Sequence, residues 1–302
     1  MLEVDFCGMK MKNPTVLASG VLGVNAALLK RVAREGAGAV TMKSIGPKEK
    51  LGHPNPTVLE WEHGLINAVG LPSPGYKNIG KEFKELEDCP SPVIASIYGS
   101  SVEEFEEVTE GIVGFEPKVI EINISCPNTK REGMVFGINP ESAAEVVSAV
   151  NKIAGKIPVM PKLTAAAPNI AEVARACEQA GANAICAINT AGPGMLIDAE
   201  ARKPVLANKF GGLSGPAIKP IALRCVYQIY DAVSVPILGL GGISTGLDAI
   251  EMVMAGASAV GIGSAVHYRG MEAFKLVAEE IGGWMKSHNV ENLKELVGAA
   301  HD

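Results

Sequence analysis

The sequence predicts an α/β fold, a single (β/α)8 TIM barrel over residues 1–302, and three observations predict it. Eight short apolar runs alternate with helical patterns. The runs are continuously apolar, as parallel strands are when helices cover the sheet's outer face. The chain has 302 residues, and a barrel of this kind uses about 250, leaving room for insertions.

The elements follow in order. Residues 2–14 read as a short N-terminal β-hairpin closing the barrel bottom. The strand runs are 15–18, 38–42, 93–97, 118–122, 158–162, 183–188, 235–239 and 259–263. Clear helical patterns cover 101–113, 140–155, 169–180, 219–232, 244–256 and 270–285, with weaker ones at 25–35 and 77–87. Asn139-Pro140 and Lys219-Pro220 put proline near a helix start, where its missing N–H costs least. Ser100 or Ser101 precedes an acidic first turn, Glu103 and Glu104, which suits the helix dipole. Gly36 and Gly181 stand where glycine closes a helix before the next strand. Long loops follow strands 2, 4 and 6; residues 44–76 and 189–218 are rich in Gly, Pro and Asn, and long loops in compact domains are usually functional.

The competing fold is an open doubly wound sheet. It would show a G-x-G-x-x-G turn after its first strand. Here that turn reads Ala18-Ser19-Gly20-Val21-Leu22-Gly23, and Gly261-Ile262-Gly263-Ser264 lacks the third glycine. No dinucleotide fingerprint is present.

Bulk properties narrow the function. Hydrophobic residues are 47% and charged residues 20%, enough for a large core. A net charge of -6 and 5% aromatics argue against nucleic-acid binding. No apolar run approaches the roughly 18 residues that span a bilayer. The N-terminus lacks the apolar stretch of a signal peptide, so the cytoplasm is the expected location. The six cysteines are scattered without C-x-x-C spacing, so no disulfide framework, metal or iron–sulfur site is expected in this chain.

Barrel active sites gather at the C-terminal strand ends. Those ends carry Ser19, Lys43 and Ser44, Ser96, Asn123 with Cys126, Lys162, Asn189 and Thr190, Gly241 and Gly242, and Gly263 and Ser264. The glycine pairs after strands 7 and 8 make either simple tight turns or a phosphate cradle; two such loops in the favoured place support the cradle. Lys43 and Lys162 end apolar strands, where an ammonium is costly unless it meets an anion. The alternative is a lysine snorkelling to water. Cys126 lies at the active face and reads either as a small buried hydrophobe or as a nucleophile or base. Cys7, Cys89, Cys177, Cys186 and Cys225 read as packing residues, and His53, His63 and His267 as surface or packing groups.

The string Asn123-Ile124-Ser125-Cys126-Pro127-Asn128 resembles the catalytic loop of soluble dihydroorotate dehydrogenases. Ala18-Ser19-Gly20, Lys43-Ser44, Asn67-Ala68-Val69-Gly70-Leu71, Lys162-Leu163-Thr164, Asn189-Thr190, Gly211-Gly212-Leu213-Ser214-Gly215-Pro216 and the glycine pairs agree in the same order. The resemblance spans about residues 3–285. The run from Gly211 to Pro220 looks most like the NAD-linked, two-subunit class.

The resemblance implies FMN as cofactor and dihydroorotate as substrate, oxidised to orotate in pyrimidine (UMP) biosynthesis. FMN would be lined by Ser19, Lys43, Ser44, Ser96, Asn123, Lys162, Ile188, Gly215, Gly241, Gly242, Gly263 and Ser264. The substrate would meet Lys43, Asn67, Ala68, Val69, Gly70, Leu71, Asn123, Asn189 and Thr190. Cys126 would be the catalytic base and Lys162 would stabilise negative charge on the flavin. The resemblance also implies a homodimer core and a partner subunit carrying FAD and an iron–sulfur cluster to reach NAD. Alternatives are a fumarate-linked dihydroorotate dehydrogenase and a related dihydropyrimidine-oxidising flavoenzyme. Two departures stand out. Pro72-Ser73-Pro74 replaces the usual Gln-Asn-Pro, and Ser96 stands where the family often has an asparagine on FMN.

Overall fold

The computed structural model describes residues 2–125 and 136–301. The hairpin is present: β1 (Val4–Phe6) pairs antiparallel with β2 (Met9–Met11). Its alternating pattern buries Val4, Phe6, Met9 and Met11 against the core and leaves Asp5 and Lys10 outside.

The eight predicted strands close a parallel barrel. In chain order they are β3 (Thr15–Leu17), β4 (Ala39–Thr41), β7 (Val93–Ile97), β8 (Val119–Asn123), β9 (Val159–Leu163), β10 (Ile185–Ala187), β15 (Ile237–Leu240) and β16 (Ala259–Ile262). Sequential strands are neighbours, and β16 returns to β3 through Gly261↔Val16 and Ile262↔Leu17. Every barrel strand is buried on both faces except at Val93, which is why each reads as an unbroken apolar run.

The helices are α1 (Ala26–Arg34), α2 (Gly80–Glu85), α3 (Val102–Val113), α4 (Pro140–Ala154), α5 (Ile170–Gln179), α6 (Lys219–Tyr230), α7 (Gly246–Met254), α8 (Ala265–Arg269) and α9 (Ala273–Ser287). Their starts follow local chemistry. The side chains of Asn25, Ser101, Asn139 and Asn169 accept backbone N–H bonds from Leu28, Glu104, Ser142 and Glu172, satisfying donors that a helix start leaves unpaired. Ser101 is thus the cap of α3, while Ser100 donates to Glu104. Gly36 and Gly181 close α1 and α5 at φ +110° and +100°, the left-handed region that glycine enters without a Cβ penalty.

The long connections are not structureless. β5 (Val58–Trp61) and β6 (Gly64–Asn67) come from the connection after β4. β11 (Ala191–Gly194) and β14 (Gly211–Ser214) come from the one after β10. Together they form an antiparallel sheet in the order β11-β14-β6-β5. A two-stranded ribbon of β12 (Ile197–Asp198) and β13 (Lys203–Pro204) lies between β11 and β14 in sequence. Sequence periodicity did not anticipate these strands: Ala191-Gly-Pro-Gly and Gly211-Gly-Leu-Ser lack β-branched residues and carry turn chemistry, and β5 and β6 are only four residues each inside a loop rich in Gly and Pro.

Candidate active site at the barrel mouth

β8 and β9 end side by side, with Asn123 in register with Lys162. Lys162 is 3% exposed. Its Nζ donates to Ser19 Oγ at 3.1 Å, after β3, and lies 3.7 Å from Glu121 Oε2, on β8. Glu121 is 1% exposed. Its Oε1 accepts from Ser96 Oγ at 2.8 Å, and its Oε2 accepts from Cys186 Sγ at 3.6 Å.

The hydroxyl protons have one consistent order. Ser96 gives its only hydroxyl hydrogen to Glu121, so Ser44 must donate to Ser96 across their 2.9 Å contact. Asn123 Nδ2 then donates to Ser44 Oγ at 3.5 Å. A buried relay therefore runs Asn123, Ser44, Ser96, Glu121 and ends on a carboxylate.

A second relay lies at the rim. Ser125 Oγ donates to Asn123 Oδ1 at 2.9 Å. Asn189 Nδ2 donates to Ser125 Oγ at 2.5 Å and reaches Asn123 Oδ1 at 3.5 Å. Asn189 Oδ1 accepts from the Thr190 N–H at 2.8 Å. These contacts orient the amides, so their remaining donors and acceptors face in fixed directions.

The loop from β6 is tied in from the other side. Asn67 Nδ2 donates to Gly212 O at 3.3 Å, and Asn67 is in register with Gly212. Gly70 and Leu71 have φ of +82° and +52°, a tight turn whose Leu71 carbonyl accepts from Tyr98 OH at 3.1 Å. The departing Pro72-Ser73-Pro74 segment is anchored. Ser73 exchanges backbone bonds with Lys50, and its Oγ accepts from Gly46 N and Gly75 N. Lys43 is held by its N–H to Gly23 O at 2.8 Å. A Cβ placed on Gly20 would come 3.7 Å from Lys43 Nζ.

The glycine loops fit a phosphate-bearing group. Gly241 and Gly242 follow β15 at φ +131° and +72°. A Cβ on Gly242 would meet Lys219 Cβ at 2.6 Å and its backbone N at 2.8 Å, so only glycine makes that turn. At Gly263 a Cβ would lie in ordinary contact with Ala18 Cβ at 3.7 Å and Val21 Cγ2 at 3.9 Å. In the same loop as Gly242, Ser244 Oγ is buried without a partner among the described residues, a group in need of an acceptor. The loop itself is clamped: Arg269 donates to Ser244 O at 2.7 Å, Gly246 N to Glu280 at 2.6 Å, and Ser244 N and Thr245 N to Asp248.

A cavity of about 730 Å³ lies beside this loop, lined by Trp61, His63, Pro216, Ser244 and Tyr268 among others. None of the predicted site residues lines it. His267 pairs with Glu60 at 2.9 Å and His53 bonds Ala68 O at 3.1 Å, in keeping with surface and packing roles. The expectation for Cys126 falls outside the described residues.

The other cysteines are poorly suited to base chemistry. Burial pushes the Cys177 thiol up to about 12. Burial and then Asp5 do the same for Cys7, also to about 12. Burial and the Glu121 carboxylate push Cys186 well above its ordinary value, and burial raises Cys89 and Cys225. Thiols held protonated are inert as nucleophiles and bases.

Glu121 was not anticipated from sequence. Its signal was a single charge inside the apolar run Val119-Ile-Glu-Ile-Asn123; its partners lie on β7, β9 and β10, far away in sequence.

Fold and site together define an enzyme-type parallel barrel with a polar, cation-bearing mouth and glycine loops suited to a phosphate. The sequence model of the dihydroorotate dehydrogenase family matches residues 1–285, and the chain belongs to that family. It is 48% identical over 306 residues to the Methanocaldococcus jannaschii protein named dihydroorotate dehydrogenase B (NAD(+)), catalytic subunit, covering 100% of this chain and 99% of that one. Proteins of the same name from Pyrococcus abyssi and Methanosarcina mazei are each 46% identical, covering 99% and 100% of this chain and 99% and 96% of their own. Among the described residues, no helix is long and apolar enough to cross a membrane.

Proposed function

We propose that this chain is the catalytic subunit of an NAD-linked dihydroorotate dehydrogenase, oxidising dihydroorotate to orotate for pyrimidine synthesis in the cytoplasm. The observation that carries the reading is the joined mouth of Lys162, Ser19, Asn123, Ser125 and Asn189 in a chain whose residues 1–285 match the family. The single barrel, residues 1–302, would hold one FMN. Ser19, Lys43, Ser44, Ser96, Asn123, Lys162, Ile188, Gly215, Gly241, Gly242, Gly263 and Ser264 are its proposed lining. Ser44 and Ser96 would act from beneath, through the relay to Asn123, since Ser96 is fully buried.

FMN, when bound, supplies the acceptor for the hydride leaving the substrate's C6. The chain's residues do the rest. Asn67, Asn123 and Asn189 offer amide donors and acceptors that match the amide-like edges of the substrate ring. Thr190 and the turn at Ala68, Val69, Gly70 and Leu71 complete that wall. Lys43 meets the substrate carboxylate as a point charge. Cys126 takes the C5 proton as general base; every described cysteine is held protonated, which supports that assignment. Lys162 places positive charge where negative charge develops.

This chain has no dinucleotide fingerprint, so the electrons would leave through a partner subunit carrying FAD and an iron–sulfur cluster, around a homodimer of this chain. The relatives named as catalytic subunits support that arrangement.

The test is an absorbance spectrum of purified protein before and after anaerobic addition of dihydroorotate. Flavin bands that bleach are the expected result. Bands that persist reject the substrate, and a protein colourless even after FMN is supplied rejects the cofactor.

A further inference from the structure

We propose that Glu121 is a positioning residue that aims Lys162 across the barrel mouth and offsets its charge, and so sets how strongly the bound flavin holds electrons. The inference rests on the FMN reading above.

The geometry carries it. Glu121 and Lys162 are 1% and 3% exposed, and their charged atoms lie 3.7 Å apart. A buried charge is costly unless paired and hydrogen-bonded, and removing one partner strands the other. Both carboxylate oxygens are engaged, Oε1 by Ser96 and Oε2 by Cys186 and Lys162. Glu121 is therefore fixed from three strands, β7, β9 and β10. The same Lys162 Nζ meets Ser19 Oγ at 3.1 Å. The carboxylate lies on the same strand as Asn123, two residues deeper in the barrel. Its side chain converges with those of Ser96, Cys186 and Lys162.

The pairing is electrostatically consequential. An isolated ammonium at the flavin's edge would favour the reduced, more negative flavin. A fixed carboxylate 3.7 Å from it weakens that preference. The barrel thus carries a counter-charge that tempers its own electrophilic lysine. A carboxylate serving stability alone would have no such effect on the flavin.

The experiment measures the flavin midpoint potential by anaerobic titration in the wild type, Glu121→Gln, Lys162→Met and the double variant. FMN content is recorded for each. Glu121→Gln is expected to raise the ratio of reduced to oxidised flavin at least tenfold at a given potential, an upward shift of about 30 mV for a two-electron couple. In the Lys162→Met background the same change should move the potential by less than a third of that, because Glu121 acts through the lysine. Glu121→Asp keeps the charge but withdraws it by one methylene. It should shift the potential in the same direction by a smaller amount, and it carries the test should Glu121→Gln not fold. Potentials that do not move, that fall, or that move equally in both backgrounds overturn the proposal while the flavin reading stands. A chain that binds no FMN overturns the flavin reading and this inference with it.

Discussion

Lys162 and Ser19 meet across the full width of the barrel. Their 3.1 Å hydrogen bond joins the ends of β9 and β3, which stand four places apart in the closed ring of eight strands. The lysine side chain therefore bridges opposite walls of the barrel.

Replacing that bridge tests its role. Lys162→Met keeps much of the side chain's bulk and removes the charge. FMN should remain bound through the glycine loops, while flavin reduction by dihydroorotate slows by about 10²–10³, the usual effect of losing one electrostatic stabiliser. Stopped-flow absorbance at the flavin band checks this. A variant reduced at the wild-type rate removes Lys162 from the chemistry.

Cys126 is the proposed base, and the described thiols offer no substitute. Cys126→Ser should slow flavin reduction by about 10²–10⁴ while FMN content stays unchanged. Cys186→Ser, a change at a buried donor to Glu121, should leave the pH dependence of reduction in place. The paired pH profiles of the two variants decide the assignment.

The turn after β15 tolerates only glycine. Gly242→Ala forces an alanine to φ +72°, costing about 1–2 kcal/mol before any contact is counted. Its Cβ would also press on Lys219. FMN affinity, measured by fluorescence titration, should fall at least about tenfold, equivalent to roughly 1.4 kcal/mol. Gly283→Ala is the control: it lies exposed on α9 with no atom within 4 Å of the added Cβ, and should stabilise by about 0.4–1 kcal/mol.

Acid should loosen the same loop. Burial alone would push the Asp248 carboxyl up, but hydrogen bonds from Lys219, Ser244 and Thr245 outweigh it and hold it below its ordinary 3.8. The Arg269 guanidinium, opposed by burial and helped by the Gly246 N–H, holds Glu280 below its ordinary 4.5. Groups lowered on folding contribute stability that is fully present above their unfolded values and is lost as pH falls through the folded ones. Thermal melts should therefore decline as pH drops from about 4.5 through 3.8 and below. In Asp248→Asn with Glu280→Gln, stability at pH 7 should be lower and the acid decline shallower. An unchanged slope would remove these two clamps from the acid response.

The barrel was legible because its strands are buried on both faces. Val119-Ile-Glu-Ile-Asn123 and Val159-Met-Pro-Lys-Leu163 have no polar alternation to confuse them with exposed hairpins, and Asn139-Pro140 announces its helix with a cap and a proline. Strand ends could be lined up, so Lys162, Asn123, Asn189 and Ser19 could be named from order alone. Two things could not be read. Glu121 gains its meaning from Ser96, Cys186 and Lys162, which only the closed ring brings together. The sheet of β5, β6, β11 and β14 joins pieces some 150 positions apart; β11 and β14 are glycine-rich, and the alternation in β5 and β6 is only four residues long.

That sheet couples two stretches of chain that evolution and engineering would otherwise treat as separate. Asn67 sits on one and reaches Gly212 on the other, while Thr190 lies just before β11 and would collide with any side chain added at Gly212. Reshaping the mouth for a different ring therefore cannot proceed by grafting one insertion at a time. A change in either insertion arrives as a mismatch in its counterpart, and new specificities in this barrel should be found by varying residues 58–67 and 191–214 as one library.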